Sequence, residues 1–142
     1  MMTSSHTTFS KETFAAFRSN DRPGPIHMLN LIKLRDTAVY PDGQQRSGRE
    51  AYASYGTISA PVFAAAGGRI VWRGTWEIGM IGPPSEQWDV CFIAEYPSVA
   101  SFADMLKNPV YREAMTHRIA AVEDSRLIRL ACAPAGSMFH GD

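Results

Sequence analysis

Hydrophobic and polar positions sort this chain into periodic stretches separated by Gly- and Pro-containing breaks. In residues 11–19, Phe14 and Phe17 lie three apart behind Ser10, and Phe9 precedes that cap. The spacing predicts a short helix with a hydrophobic staple. The run NDRPGP over residues 20–25 ends it, because Pro and Gly do not continue a helix. Residues 26–34 (IHMLNLIKL) are apolar on both parities, the pattern of a strand covered on both faces, with Asn30 and Lys33 as interruptions. Residues 35–50 are polar and contain a Tyr40-Pro41-Asp42-Gly43 turn. A connection of that length is expected to be a solvated loop, a lid or an extra hairpin. Residues 47–66 repeat apolar side chains at three and four positions (Ala51, Tyr52, Tyr55, Ile58, Val62, Phe63, Ala66), which predicts a helix kinked or restarted at Pro61 and stopped by Gly67-Gly68.

The second half opens with two alternating runs. Residues 69–78 set Ile70, Trp72, Trp76 and Ile78 against Arg69, Val71, Arg73, Thr75 and Glu77. Residues 87–96 set Trp88, Val90, Phe92, Ala94 and Tyr96 against Asp89, Cys91, Ile93 and Glu95. Joined through Gly82-Pro83-Pro84, they predict a hairpin with its aromatics on one face and with Arg69, Arg73, Asp89 and Glu95 on the other. Ser98 is expected to cap a helix carrying Val99, Phe102, Met105 and Leu106. Asn108-Pro109 divides it from the next helix, with Pro109 at the first position. The last strand is expected over residues 126–133, after Asp124-Ser125.

Winding residues 109–123 at about 100° per residue puts Val110, Tyr111, Ala114, Met115, Ala121 and Val122 on one arc. Arg118 falls near its middle and His117 at its edge. A charge on a buried face needs a partner. That partner is either a protein carboxylate (Asp89, Glu95 or Asp124) or an anionic ligand, for which the planar guanidinium fork is suited.

Without the first helix, the order is strand, helix, strand, strand, helix pair, strand. This is the split βαβ pattern of a ferredoxin-like α+β sandwich, with an antiparallel four-stranded sheet and helices on one face. The expected division is an N-terminal extension (1–25), the α+β domain (26–133) and a C-terminal tail (134–142). Residues 1–8 are Ser/Thr-rich and expected to fray. Because the first strand is apolar on both faces, the second sheet face needs cover, and a second copy of the chain supplies it most economically.

Composition narrows the function classes. The chain has 142 residues, 45% of them hydrophobic, enough for one domain with a core. Fourteen basic residues balance 14 acidic ones, so no basic field exists for nucleic acid. No apolar run approaches the ~20 residues of a membrane span. The first residues carry no basic segment followed by an apolar run, so no secretory leader is expected and a cytoplasmic location is. Cys91 and Cys132 fall in expected strands without CxxC spacing and read as small buried hydrophobes. The four histidines (His6, His27, His117, His140) lack metal-ligand spacing. No phosphate loop or nucleophile elbow is present. No cofactor and no metal are therefore expected.

Several motifs together resemble the DUF1330 family, a group of domains of unknown function. Tyr52-x-x-Tyr55, Pro61 and Gly67-Gly68-Arg69 resemble its first half. Glu95-Tyr96-Pro97-Ser98, Asn108-Pro109-x-Tyr111 and His117-Arg118 resemble its second. Asn30-Leu31, Tyr40-Pro41-Asp42-Gly43, Ser47-Gly48-Arg49-Glu50, Trp88-Asp89 and Asp124-Ser125-Arg126-Leu127-Ile128 are similar to one branch of it. The resemblance covers roughly residues 26–130 and implies a dimeric α+β barrel, but no reaction. Among related dimeric barrels, the haem-degrading monooxygenases place an Asn on the first strand, which Asn30 matches, and then a Trp and a His. This chain has Met105 and Met115 there, so a haem-binding, monooxygenase-like protein is the remote alternative.

The residues leave two readings open. In the first, a homodimer binds a small organic acid or aromatic compound between sheet and helices and acts on it without a cofactor. Arg118 would hold the anion, Asn30 would orient the ligand, and Tyr111, Trp88 and Arg73 would line the site. His117 or Tyr55 would move protons, His117 because its ordinary pKa of about 6.5 lies near working pH. In the second, the protein is a non-catalytic binding or assembly module and the same residues are structural.

Overall fold

The computed structural model describes residues 5–136, 138 and 139. Residues 1–4 of the segment expected to fray, and residues 137 and 140–142 of the expected tail, lie outside the described residues. The elements are α1 (Lys11–Ser19), β1 (Ile26–Leu34), α2 (Gly48–Ala65), β2 (Arg69–Gly74), β3 (Val90–Tyr96), α3 (Val99–Met105), α4 (Pro109–Ala121) and β4 (Val122–Ala131). Local chemistry sets most boundaries. Ser10, Ser98 and Asn108 accept backbone N–H bonds as N-caps, and Pro109 opens α4. Ser47 and Glu50 form a reciprocal capping box at the start of α2. Gly67, at φ +80°, stands just past the end of α2, where a side chain would be strained. Pro61 lies inside α2 without ending it.

The strands form one antiparallel sheet in the order β2-β3-β1-β4. This is the ferredoxin-like α+β architecture expected from the order of elements. Register divides the sheet into two faces. Ile26, Met28, Asn30, Ile32 and Leu34 share the helix-covered face with Tyr96, Ala94, Phe92 and Val90 of β3 and with Arg129, Leu127 and Ser125 of β4. The core follows that face in two clusters. One joins Ile26, Met28, Ala94 and Tyr96 to Phe102, Met105 and Tyr111, and the other joins Ile32 and Leu34 to Ala51, Ala120, Ala121 and Val122. Ile26, Ile32 and Val122 are fully buried, each stabilising the fold by about 1.5–3 kcal/mol. The opposite face carries Leu29, Leu31, Ile93, Ile128 and Leu130, with Trp72 from β2.

Two expectations need correction. The hairpin is shorter than its alternation: β2 stops at Gly74 and β3 begins at Val90. An irregularity between Ile70 and Trp72 also flips parity, so Ile70 opposes Ala94 while Trp72 opposes Ile93. The tryptophans therefore do not share one hairpin face: Trp72 is exposed and Trp88 is buried. Next, β4 begins at Val122, straight after α4, because Val122 is buried as a strand residue. It ends at Ala131, which leaves Cys132 outside the strand and exposed rather than buried. Of the alternatives for residues 35–47, the extra hairpin fits best, with residues 41–45 at its exposed tip. An isolated bridge joins Thr37 to Ser47, and the Arg35 and Val39 amides donate to the Ala121 and Ala120 carbonyls.

Candidate functional site

The sheet and the helices do not close on each other along their whole length. Between them lies a cavity of about 900 Å³, bounded by β1, β3, β4, α2, α4 and the N-terminal segment with α1. That volume is in the range of small-molecule sites. Aromatic and thioether side chains contribute much of its wall. Tyr96 meets Phe102 edge-on at 5.0 Å between ring centres, and Phe17 of α1 meets Phe102 at 5.2 Å. Tyr52 packs on Tyr55 at 5.4 Å.

Polar side chains also line it, among them His6, Thr13, Asn20, Asn30, Ser59 and Ser125. Asn30 sits mid-strand on the helix-covered face, and its Nδ2 donates to the Met28 carbonyl at 3.1 Å. The Tyr55 and Tyr111 hydroxyls hydrogen-bond at 2.9 Å. Burial, then the neighbouring Tyr55 phenol, pushes the Tyr111 hydroxyl well above its ordinary value, with Arg118 pulling weakly the other way. Burial likewise raises Tyr52 and Tyr96. These phenols stay protonated at neutral pH and serve as hydrogen-bond donors, not as bases.

Three arginines and no carboxylate line the cavity among the described residues. Two of the three are committed elsewhere. Arg126 bonds Asp124 at 2.9 Å and lies over the Trp88 ring. Arg129 donates to the Phe17 and Asn20 carbonyls at the end of α1 and lies over the Phe17 ring. Arg118 has fewer partners: its Nη1 donates to the Thr7 carbonyl at 2.9 Å and, as for Arg129, no carboxylate lies within ion-pairing distance among the described residues. A guanidinium has five donors.

The three carboxylates expected to compete for Arg118 have other partners. Glu95 pairs with Arg69 and His27, each at 2.8 Å. Asp89 accepts from the Leu34 amide at 2.8 Å and lies 3.9 Å from Arg49. Asp124 accepts from Arg126 and from the His6 and Ser125 amides. Burial alone would raise the Asp124 carboxyl, but those bonds together hold it below its ordinary value.

Of the residues singled out in the sequence, Arg118, Asn30, Tyr55 and Tyr111 meet at this cavity. His117, Trp88 and Arg73 are not among its lining residues. His117 faces the 35–47 segment, where its Nδ1 bonds the Tyr40 hydroxyl at 2.7 Å. Trp88 is buried beneath Arg126. Arg73 opposes Phe92, not Glu95, because the β2 irregularity reverses its parity, so the expected pairing with Asp89 and Glu95 gives way to Arg69–Glu95. The reading of the residues missed Phe17, Phe92 and Arg129 as wall residues. Arg129 shares a parity with Leu127, a signal available once β4 is paired with β1.

Among the described residues, no cluster of three or more His, Cys, Asp or Glu side chains could hold a metal ion, and no helix is long and apolar enough to cross a membrane. Cys91 is buried and its thiol is pushed up by that burial.

Comparison with known proteins agrees with this architecture. A protein of unknown function from Rhodopseudomonas palustris is 59% identical, and two crystal structures of it superpose closely. The one of the methylated protein covers 94% of this chain and 98% of its own, with a TM-score of 0.92. The other covers 92% and 100%, with a TM-score of 0.89. A dimeric protein of unknown function with a ferredoxin-like fold, from Bacteroides fragilis, is 17% identical over 75% of this chain and 94% of its own, at a TM-score of 0.47. No curated protein matches. The family matched over residues 45–130, more than half of the chain, is described as a domain of unknown function, DUF1330. This chain is a member of the DUF1330 family.

Proposed function

We propose that this protein is a homodimer that binds an organic acid in the cavity between sheet and helices, with the ligand carboxylate on Arg118. One observation carries the reading: Arg118 lines a cavity free of carboxylates among the described residues, and a backbone carbonyl is its partner. A cation so placed favours an anion, and its fork matches a carboxylate bidentately. Asn30 and the Tyr55–Tyr111 pair would meet the ligand's remaining polar atoms, and the aromatic walls would take its apolar part. The phenols would serve the bound acid as hydrogen-bond donors.

Calorimetric titration with an aromatic carboxylate tests this. Arg118→Ala should lose roughly 10- to 100-fold in affinity, the worth of a charged hydrogen bond of about 1.5–3 kcal/mol. Arg118→Lys should recover only part of it. Equal affinity in parent and Arg118→Ala would overturn the reading. The Thr7 bond favours a second reading, in which Arg118 ties down the N-terminal segment of a non-catalytic module. A stability loss in Arg118→Ala, with no carboxylate bound by the parent, would select it.

A further inference from the structure

We propose that the acid is amphipathic, with one carboxylate and a long or polycyclic apolar body, and is not a compact polar acid or a dicarboxylate. The inference rests on the Arg118 reading above and adds a ligand class to it. Three features lead there. The first is size: about 900 Å³ is near the upper end of single-ligand pockets, far more than a short-chain acid fills. The second is the wall. Met28, Phe92, Phe102, Met105, Met115 and Leu127 line the cavity, and they offer a ligand nothing to hydrogen-bond through their side chains. Thioethers adapt to apolar shapes that vary. Polar ligand atoms against those six side chains would be stripped of water without compensation.

The third feature is charge accounting. Arg126 and Arg129 already meet Asp124 and the α1 carbonyls, and each covers an aromatic ring. Among the described residues, Arg118 alone of the lining arginines has a single protein hydrogen bond. Arg118 thus keeps more of its donors free for an anionic group than Arg126 or Arg129 does. The ligand therefore carries its charge at one end, against α4, and runs its apolar part along the sheet toward Phe17 of α1.

The test is a titration series on the full chain by calorimetry. The probes are unbranched saturated carboxylates of increasing length, kept below micelle formation, the matching alcohols, and a short dicarboxylate. Affinity should rise roughly three- to fourfold per added methylene over the shorter members, the worth of a buried methylene. The alcohols should bind at least tenfold more weakly than the acids, the dicarboxylate should bind poorly, and Arg118→Ala should erase the difference between acid and alcohol. If short acids or the dicarboxylate bind as tightly as long ones, this inference falls and the Arg118 reading survives. If alcohols match acids in the parent, or no carboxylate binds at all, both fall.

Discussion

Arg118 shows what single residues can and cannot reveal. Helical spacing alone places it on the inner arc of α4 and makes a partner necessary. The partner's identity was not legible, because three acids were in reach by sequence and each is taken up by a contact that spacing does not encode. Glu95 goes to Arg69 and His27 across strands, Asp124 to Arg126 and an N-terminal amide, and Asp89 to the end of β1. Arg73 is not among the cavity's lining residues, and one irregular residue in β2 moves it from the Glu95 face to the Phe92 face. The Glu95 cluster has a measurable consequence. The Arg69 hydrogen bond, then that from His27, holds the Glu95 carboxyl below its ordinary value of 4.5. A lowered folded-state pKa contributes stability above the unfolded value, and that stability is lost as pH falls through the folded one. Denaturant midpoints should therefore drop below about pH 4.5, and Glu95→Gln should flatten that acid limb. An unchanged slope would show that Glu95 is not linked to folding.

At the scale of elements, caps and breakers were the reliable signals. Ser10, Ser98 and Asn108-Pro109 opened the expected helices because capping is decided by nearest neighbours. Strand ends were less legible, since alternation continues past the last paired residue: residues 75–78 and 87–89 alternate without joining the ladder. The 35–47 segment stayed open between loop, lid and extra hairpin because its anchors, the Ala120 and Ala121 carbonyls and His117, come from α4, far away in the chain. Its exit is tightly built. The Gly48 amide donates to the Asp36 carbonyl, and a Cβ on Gly48 would collide with the Arg35 carbonyl oxygen. That oxygen is backbone and cannot swing aside. Gly48→Ala should therefore cost about 1–3 kcal/mol in equilibrium urea unfolding. A variant as stable as the parent would mean that residues 35–48 shift freely, which their hydrogen bonds argue against.

For the whole molecule, the order of periodic stretches gave the ferredoxin-like topology, and β1, apolar on both parities, pointed to a second sheet face needing cover. That face holds Trp72, Ile128 and Leu130 at 49%, 44% and 41% exposure, beside Leu29, Leu31 and Ile93. Contiguous apolar surface of this kind marks interaction sites, and a chain with 14 charges of each sign has little net repulsion between copies. On the dimer reading, Ile128→Asp should move the protein from dimer to monomer in sedimentation velocity at micromolar concentration. A parent already monomeric there would remove the dimer from the account. The cavity on the other face, with the Arg118 guanidinium held by a single backbone carbonyl among the described residues, is where the proposed function lies. Its most direct test is a crystal structure of the full chain with a medium-chain carboxylate. The account predicts the carboxylate within hydrogen-bonding distance of the Arg118 guanidinium, with the alkyl chain against Phe92, Phe102 and Met105. A carboxylate bound elsewhere, with Arg118 still on the Thr7 carbonyl, would contradict it.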